Sequence, residues 1–228
     1  MLFYFVRHGH PNYKNDCLTE LGVMHAEAAA KRLSDCNIER IFSSTCGRAY
    51  ETAERTASVL GLPIERCDFM REIPWTSIDG EEIPFNGNPW EMAYLLVSEG
   101  KPLTTRDWQT VYPFSKSKVV TSTEKVANGI DEVLETLGYK REGDYYRVVG
   151  EDTDKTVAMF SHGGSSTAAL SHILNIPFPQ MCSIVQPNYT AITIVSFSDK
   201  HGVLTQPKLL LANDARHIEG LETKIIYE

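Results

Sequence analysis

The sequence predicts an α/β protein: a three-layer sandwich with a mostly parallel central sheet, helices on both faces and an inserted cap-like region. Three observations carry this. "LFYFVR" (2–7) is a nearly continuous apolar run, the type found in strands covered on both faces. Strand-like and helix-like patterns then alternate through residue 60, as in a βαβ sheet. The alternation breaks over a proline- and tryptophan-rich stretch and resumes at "TVAMFSHGG" (156–164).

Each element has its own signal. Over 19–34, Leu21, Met24, Ala28 and Leu33 recur at roughly helical spacing, with Thr19 placed as an N-cap. "RIFSS" (40–44) is a short second strand. From Arg48 to Leu60, Ala49, Ala53, Ala57 and Leu60 mark a small-residue helix face, and "GLP" stops it. Residues 73–121 hold Pro74, Pro84, Pro89, Pro102, Pro113 and all three tryptophans. With a helix near 122–138, this stretch is expected to sit over one edge of the sheet. "KREGDYYRVVGEDTDK" (140–155) reads as a polar hairpin or loop. A helix over 164–174 and two late strands, "TAITIVSFS" and "GVLTQPKLLLA", complete the pattern. The expected division is one domain over 1–228, with a core of about 1–75 and 155–212 and an insertion of about 76–154.

Composition limits the function. The 228 residues are 42% hydrophobic and 23% charged, ordinary for a globular chain, with a formal net charge of −8. That acidity argues against general nucleic-acid binding, which relies on cations neutralising phosphates. No run approaches the roughly 18 apolar residues of a membrane helix. The opening run is too short for a signal peptide. Five cysteines without CxxC spacing argue against a disulfide framework or structural zinc and fit a reducing cytoplasm. The expected location is therefore cytoplasmic, with no nucleic-acid or membrane partner.

Two strand ends match: "YFVRHG" and "AMFSHGG". In open α/β sheets, ligands sit outside the carboxyl ends of the strands. His8 and His162 fall there. A neutral imidazole can attack phosphorus, and Arg7 offers a permanently charged fork for phosphate oxygens. "SSTCGRAYETA" places Arg48 in the first turn of a helix, whose positive end also favours an anion. Gly163 and Gly164 add backbone N–H groups at another helix start. Two histidines, two arginines and two helix N-termini make a site for a dianion.

These residues carry a family resemblance. "RHG" after the first strand, "SSxxxRAxxTA" after the second, "SHGG" after a later one and "LTELG" (18–22) are similar to the motifs of the histidine phosphatase superfamily, also called phosphoglycerate-mutase-like. The resemblance covers roughly 1–75 and 155–212. It implies that His8 is phosphorylated during turnover and that Arg7, Arg48 and His162 form the phosphate pocket, to which the Gly163 N–H at its helix start is expected to add. It also implies a proton donor in "MREIPW", at Glu72, with Asp79, Glu81 and Glu82 as nearby substitutes. A carboxyl near a bound dianion would favour its protonated form. Where members commonly follow RHG with Glu or Thr-type residues, this chain has His10 and Pro11. Lys14 stands where mutases place Asn, Asn15 follows it, and His25 occupies a position where Gln is common. His10 and Asn15 are read as supporting residues around the site. His25, His172, His201 and His217 are read as structural or merely solvated.

The function expected is metal-independent hydrolysis of a small phosphomonoester through phosphohistidine, with no cofactor and with self-association into a homodimer left open. A cofactor-dependent phosphoglycerate mutase would need a closed basic pocket, and residues 76–154 offer only Lys101, Arg106, Lys116 and Lys118 without a recognisable pattern. His8-x-His10 also resembles the opening of metal-dependent amidohydrolases. That fold requires about eight βα units and leaves Arg48 and "SHGG" unexplained. A phospho-ligand binder without turnover is the last alternative. Trp75, Trp90, Trp108, Tyr94 and Tyr112 belong either to a substrate cleft or to the core of the insertion, with the core favoured.

Overall fold

The computed structural model describes residues 1–221. In chain order, the strands are β1 (Leu2–Arg7), β2 (Pro11–Asn12), β3 (Cys17–Leu18), β4 (Arg40–Ser44), β5 (Ile64–Cys67), β6 (Tyr139–Glu142), β7 (Tyr145–Val148), β8 (Thr156–Ser161), β9 (Ile192–Ser196), β10 (Leu204–Thr205) and β11 (Lys208–Asp214). The α-helices are α1 (Glu20–Leu33), α2 (Gly47–Leu60), α3 (Pro89–Ser98), α4 (Val119–Thr136), α5 (Gly163–Leu174) and α6 (Phe178–Ile184).

Six strands form the central sheet in the order β11-β9-β1-β8-β4-β5. The pairs β1·β8, β4·β8 and β4·β5 are parallel, and β9 is antiparallel to both its neighbours, β1 and β11. The alternation of side chains along a strand builds the three layers. Phe3 and Phe5 of β1, with Phe42 and Met159, pack into one core that also holds Val126 and Ile130 of α4 and Ala169 of α5. Tyr4 and Val6, with Ile41 and Phe160, face the other way onto Leu33 of α1 and Ala53 and Ala57 of α2. A strand buried on both faces must be apolar throughout, which is why β1 and β8 read so clearly in the sequence.

Local signals end the first two helices. The Thr19 hydroxyl accepts the Gly22 N–H (3.1 Å) at the start of α1. Gly61, with φ +67°, closes α2 in the left-handed conformation that glycine adopts without penalty.

Two expectations change. The helix expected inside an insertion over the sheet edge is α4, and it forms part of the layer covering one face. The aromatic cluster of Trp108, Phe114 and Phe178 (centroids 5.5–6.4 Å apart) belongs to the same core as Met159 of the central sheet. Apolar side chains in 76–154 thus complete the main core. The expected late strand "GVLTQPKLLLA" is two strands. Gln206 and Pro207 separate β10, which pairs with β7 in a three-stranded sheet β10-β7-β6, from β11, which joins the main sheet. Proline supplies no ladder donor, so the chain changes partner there. The six-stranded sheet is open, with β11 and β5 at its edges, and so rules out an eight-unit barrel.

Candidate active site

Parallel pairing of β1 with β8 places Arg7 opposite Ser161. The next residues along each strand, His8 and His162, therefore emerge side by side at the carboxyl end of the sheet. Their ring centroids are 5.1 Å apart at 63°. The His8 N–H donates to the Ser161 carbonyl (2.9 Å), fixing the turn that presents the ring.

His8 is 1% exposed. Its Nδ1 lies 2.7 Å from the Gly9 carbonyl, an oxygen that can only accept, so Nδ1 carries the proton. Nε2 is then the lone-pair nitrogen, and Arg48 Nε–H donates to it at 3.3 Å. Burial first, then the Arg7 guanidinium, holds the imidazole well below its ordinary pKa of 6.5. The Gly9 carbonyl opposes the shift, and Arg48 and His10 add to it. His162 is fully buried. Its Nε2 meets the Ser44 hydroxyl at 2.9 Å, while Nδ1 has no partner among the described residues. Burial, then His8, Arg48 and Arg7, pushes its pKa well below 6.5.

Arg48 rises from the first turn of α2 and forms an ion pair with Asp16. Asp16 also accepts the Gly47 N–H (2.8 Å), so its carboxylate sits on the positive end of α2. A Cβ at Gly47 would lie 2.1 Å from the Asp16 carbonyl oxygen, which explains the glycine before the arginine. Arg7 donates Nη1 to the Pro187 carbonyl, and its Cζ lies 4.5 Å from the Tyr189 ring centre.

Glu72 reaches the start of α5, where its Oε1 accepts the N–H groups of Ser165 (3.1 Å) and Ile73 (3.0 Å). Burial raises its pKa above the usual 4.5. The Gly164 N–H, Arg7, and the Ile73 and Ser165 N–H groups pull the other way without cancelling it. A Cβ at Gly164 would stand 2.6 Å from that Oε1, so only glycine admits the carboxylate here.

The structure brings Arg7, His8, Arg48, His162 and Glu72 to one end of the sheet. Gly163 lies between Trp90 and Arg7: a Cβ there would be 3.5 Å from Trp90 Cη2 and 3.8 Å from Arg7 Nε. The N–H groups of Gly164 and Ser165, at the helix start expected to face an anion, are engaged by Glu72. Asp79 is held in the insertion by Lys116 (3.5 Å) and the Glu81 N–H. His10 bonds through Nδ1 to the Thr19 hydroxyl (2.9 Å) and packs on Tyr189.

Asn15 does not take the supporting place expected of it. It is exposed, with its backbone N–H on Asn12 Oδ1 (3.3 Å), and its neighbour Asp16, at φ +48°, turns inward to Arg48. Tyr94 and Tyr112 are exposed and Trp108 is buried, whereas Trp90 comes close to the site. Asp16, Tyr189 and Tyr13, whose ring centre lies 5.3 Å from Arg48 Cζ, escaped the sequence reading. Asp16 alone had a signal, in its position just before "CLTELG". A cavity of about 530 Å³ beside Arg141 and His172 contains none of these residues, and Arg141 there is already bonded to the His172 carbonyl and Asn175.

A family model for the histidine phosphatase superfamily (branch 1) matches residues 3–209. The chain belongs to that superfamily. The enzyme class expected from the sequence, a phosphatase, follows from this membership. No curated protein matches the sequence. Among solved structures, the superfamily fold recurs in "mycobacterial hydrolase 1" (23% identity, 93% of this chain and 97% of that chain, TM-score 0.63). It also recurs in a variant phosphoserine phosphatase from Entamoeba histolytica in complex with phosphoserine (20%, 95% and 98%, 0.62). A third is a mycobacterial glucosyl-3-phosphoglycerate phosphatase with inorganic phosphate (22%, 95% and 98%, 0.63). Among the described residues no helix is long and apolar enough to cross a membrane.

Proposed function

We propose that this histidine phosphatase hydrolyses a small phosphomonoester without a metal, through a phosphohistidine at His8. The observation that carries the reading is the state of the His8 ring. Its Nδ1 proton is tied to the Gly9 carbonyl and its Nε2 lone pair faces the Arg48 N–H, so the nucleophile is neutral and aimed at a cationic pocket.

Arg7, Arg48 and His162 would hold the equatorial oxygens of the phosphoryl group, stabilising the charge that spreads over them in the transition state. Nε2 attacks phosphorus, the P–N bond forms, and the P–O bond to the leaving group breaks. Glu72, whose pKa burial raises, gives its proton to the departing oxygen. Water then attacks the phosphoryl group on Nε2 and yields a proton to the Glu72 carboxylate. Phosphate leaves, and the original tautomer returns.

A cavity of about 410 Å³, lined by Glu72, Arg71, Pro74, Ser122 and Lys125, offers the leaving group room on the donor side. Two of the similar structures are named as phosphatases of small phosphorylated metabolites, phosphoserine and glucosyl-3-phosphoglycerate, which supports a substrate of that class. Hydrolysis is favoured over mutase chemistry because Lys101, Arg106 and Lys116 pair with Glu99, Asp144 and Asp79 and do not gather into a second anion pocket. The five cysteines are free thiols, in keeping with a cytoplasmic setting.

The test is p-nitrophenyl phosphate turnover in EDTA, with acid-free quenching and intact mass measurement. Wild type should turn over and carry one added phosphoryl group, and His8→Ala should do neither. Phosphorylation of His8→Ala, or loss of turnover in EDTA, sinks the proposal.

A further inference from the structure

The two arginines of the pocket are held differently. Arg48 is paired with a carboxylate, whereas Arg7 has no ion-pair partner among the described residues and its Nε is buried without a hydrogen bond. What Arg7 has is Tyr189, whose ring centre lies 4.5 Å from Cζ and whose hydroxyl also interacts with the guanidinium, and the Pro187 carbonyl at one end of the fork. Both come from the segment between α6 and β9. An aromatic face attracts a guanidinium through its quadrupole, without neutralising the charge or occupying the N–H edge. A carboxylate would do both and would compete with a bound phosphate.

Tyr189 is itself wedged. Its ring lies 6.1 Å from the His8 ring, 5.3 Å from His10 and 6.0 Å from His25. The next backbone N–H, Thr190, donates to the His8 carbonyl (3.3 Å), and the Arg7 N–H donates to Ala191 (3.3 Å). His217 Nε2 meets the Thr190 hydroxyl at 3.0 Å. The ring therefore cannot shift without moving the turn that carries His8.

We infer that Tyr189 is a positioning residue for phosphate binding: the face of its ring, and not its hydroxyl, sets the Arg7 fork across the pocket. This rests on the reading of Arg7 and His8 as a phosphate site, and it takes inorganic phosphate as the probe so that binding is read apart from turnover. Calorimetric affinities for phosphate would be compared in wild type, Tyr189→Phe, Tyr189→Leu, Arg7→Gln and the Leu/Gln double variant, with Tyr189→Met replacing Leu if that variant does not fold. Tyr189→Phe should stay within about twofold of wild type, and Tyr189→Leu should weaken binding about tenfold, in the range of a desolvated cation–π contact. In the Arg7→Gln background the Leu change should cost less than about twofold, because the two act as one unit.

A Phe variant as weak as Leu, or an equal Leu effect with and without Arg7, overturns the inference. Coupled phosphate binding without any phosphoryl-enzyme would sink the proposed hydrolysis and leave this inference standing. A phosphoryl-enzyme with Tyr189 and Arg7 uncoupled would do the reverse.

Discussion

Arg48 Nε stands 3.3 Å from His8 Nε2 and donates its N–H into the lone pair of that ring. Protonating Nε2 would set N–H against N–H beside a fixed positive charge, in a site where His8 is 1% exposed. The contact therefore keeps the imidazole neutral and holds the guanidinium beside it, where the proposed reaction would bring a phosphoryl oxygen. Four predictions follow from this arrangement and its surroundings.

The first concerns acid pH. His8 and His162 both have pKa values pushed well below 6.5, so both stay neutral as the pH falls through that value. In the proposed reaction the neutral ring is the nucleophile. After correction for substrate ionisation, kcat/KM should hold to well below pH 6.5. A fall with an apparent pKa close to 6.5 would show an ordinary, solvated imidazole.

The second isolates Glu72. Its pKa is raised, so a protonated donor persists above the usual carboxylate range and is lost as the pH rises further. In single-turnover phosphorylation, Glu72→Gln should have little effect with p-nitrophenyl phosphate, whose leaving group needs no proton. With an alkyl phosphate the same change should slow the step about 10²–10⁴-fold, the usual contribution of a general acid. Equal slowing for both substrates removes Glu72 from this role.

The third concerns Asp16, which braces Arg48 and caps α2. Asp16→Ala should lower stability by about 1 kcal/mol, as loss of an N-cap does. It should also lower kcat/KM about tenfold through the freed guanidinium, the worth of roughly one charge-assisted hydrogen bond. Asp16→Asn should keep most of the stability and lose the activity. A rise in kcat/KM for either variant would instead mark Asp16 as a competitor for the phosphate position.

The fourth concerns His25, which is fully buried with neither ring nitrogen partnered among the described residues and has a pKa lowered to about 4. The cause is burial first, then His10 and His217. Between pH 6.5 and about 4 the unfolded chain binds a proton that the folded protein refuses, so stability falls as the pH drops through that window. His25→Phe should remove about 2 kcal/mol of the stability lost between pH 7 and pH 5 in urea titrations. Parallel losses in both proteins would refute this origin.

Much of the fold was legible because β1 and β8 are buried on both faces and cannot hide that in their composition. The Thr19 cap and Gly61 stop were equally local, since each acts on its own helix end. The α4 layer and the division of 202–212 between two sheets were not legible. A helix pattern does not say which face it covers, and strand propensity does not choose a partner.

The chain by itself singled out the candidate parts of the site: Arg7-His8, Arg48 and His162, each at a strand or helix end marked by apolar runs or glycines, with Glu72 read only through the resemblance of "MREIPW". Tertiary structure alone decided what holds them. Asp16 reaches Arg48 across 32 positions and Tyr189 reaches Arg7 across 182, from loops whose sequences carry no periodicity. A side chain's type and spacing reveal what it can do. Its charge state and aim depend on burial and on neighbours brought together only when the sheet closes around them.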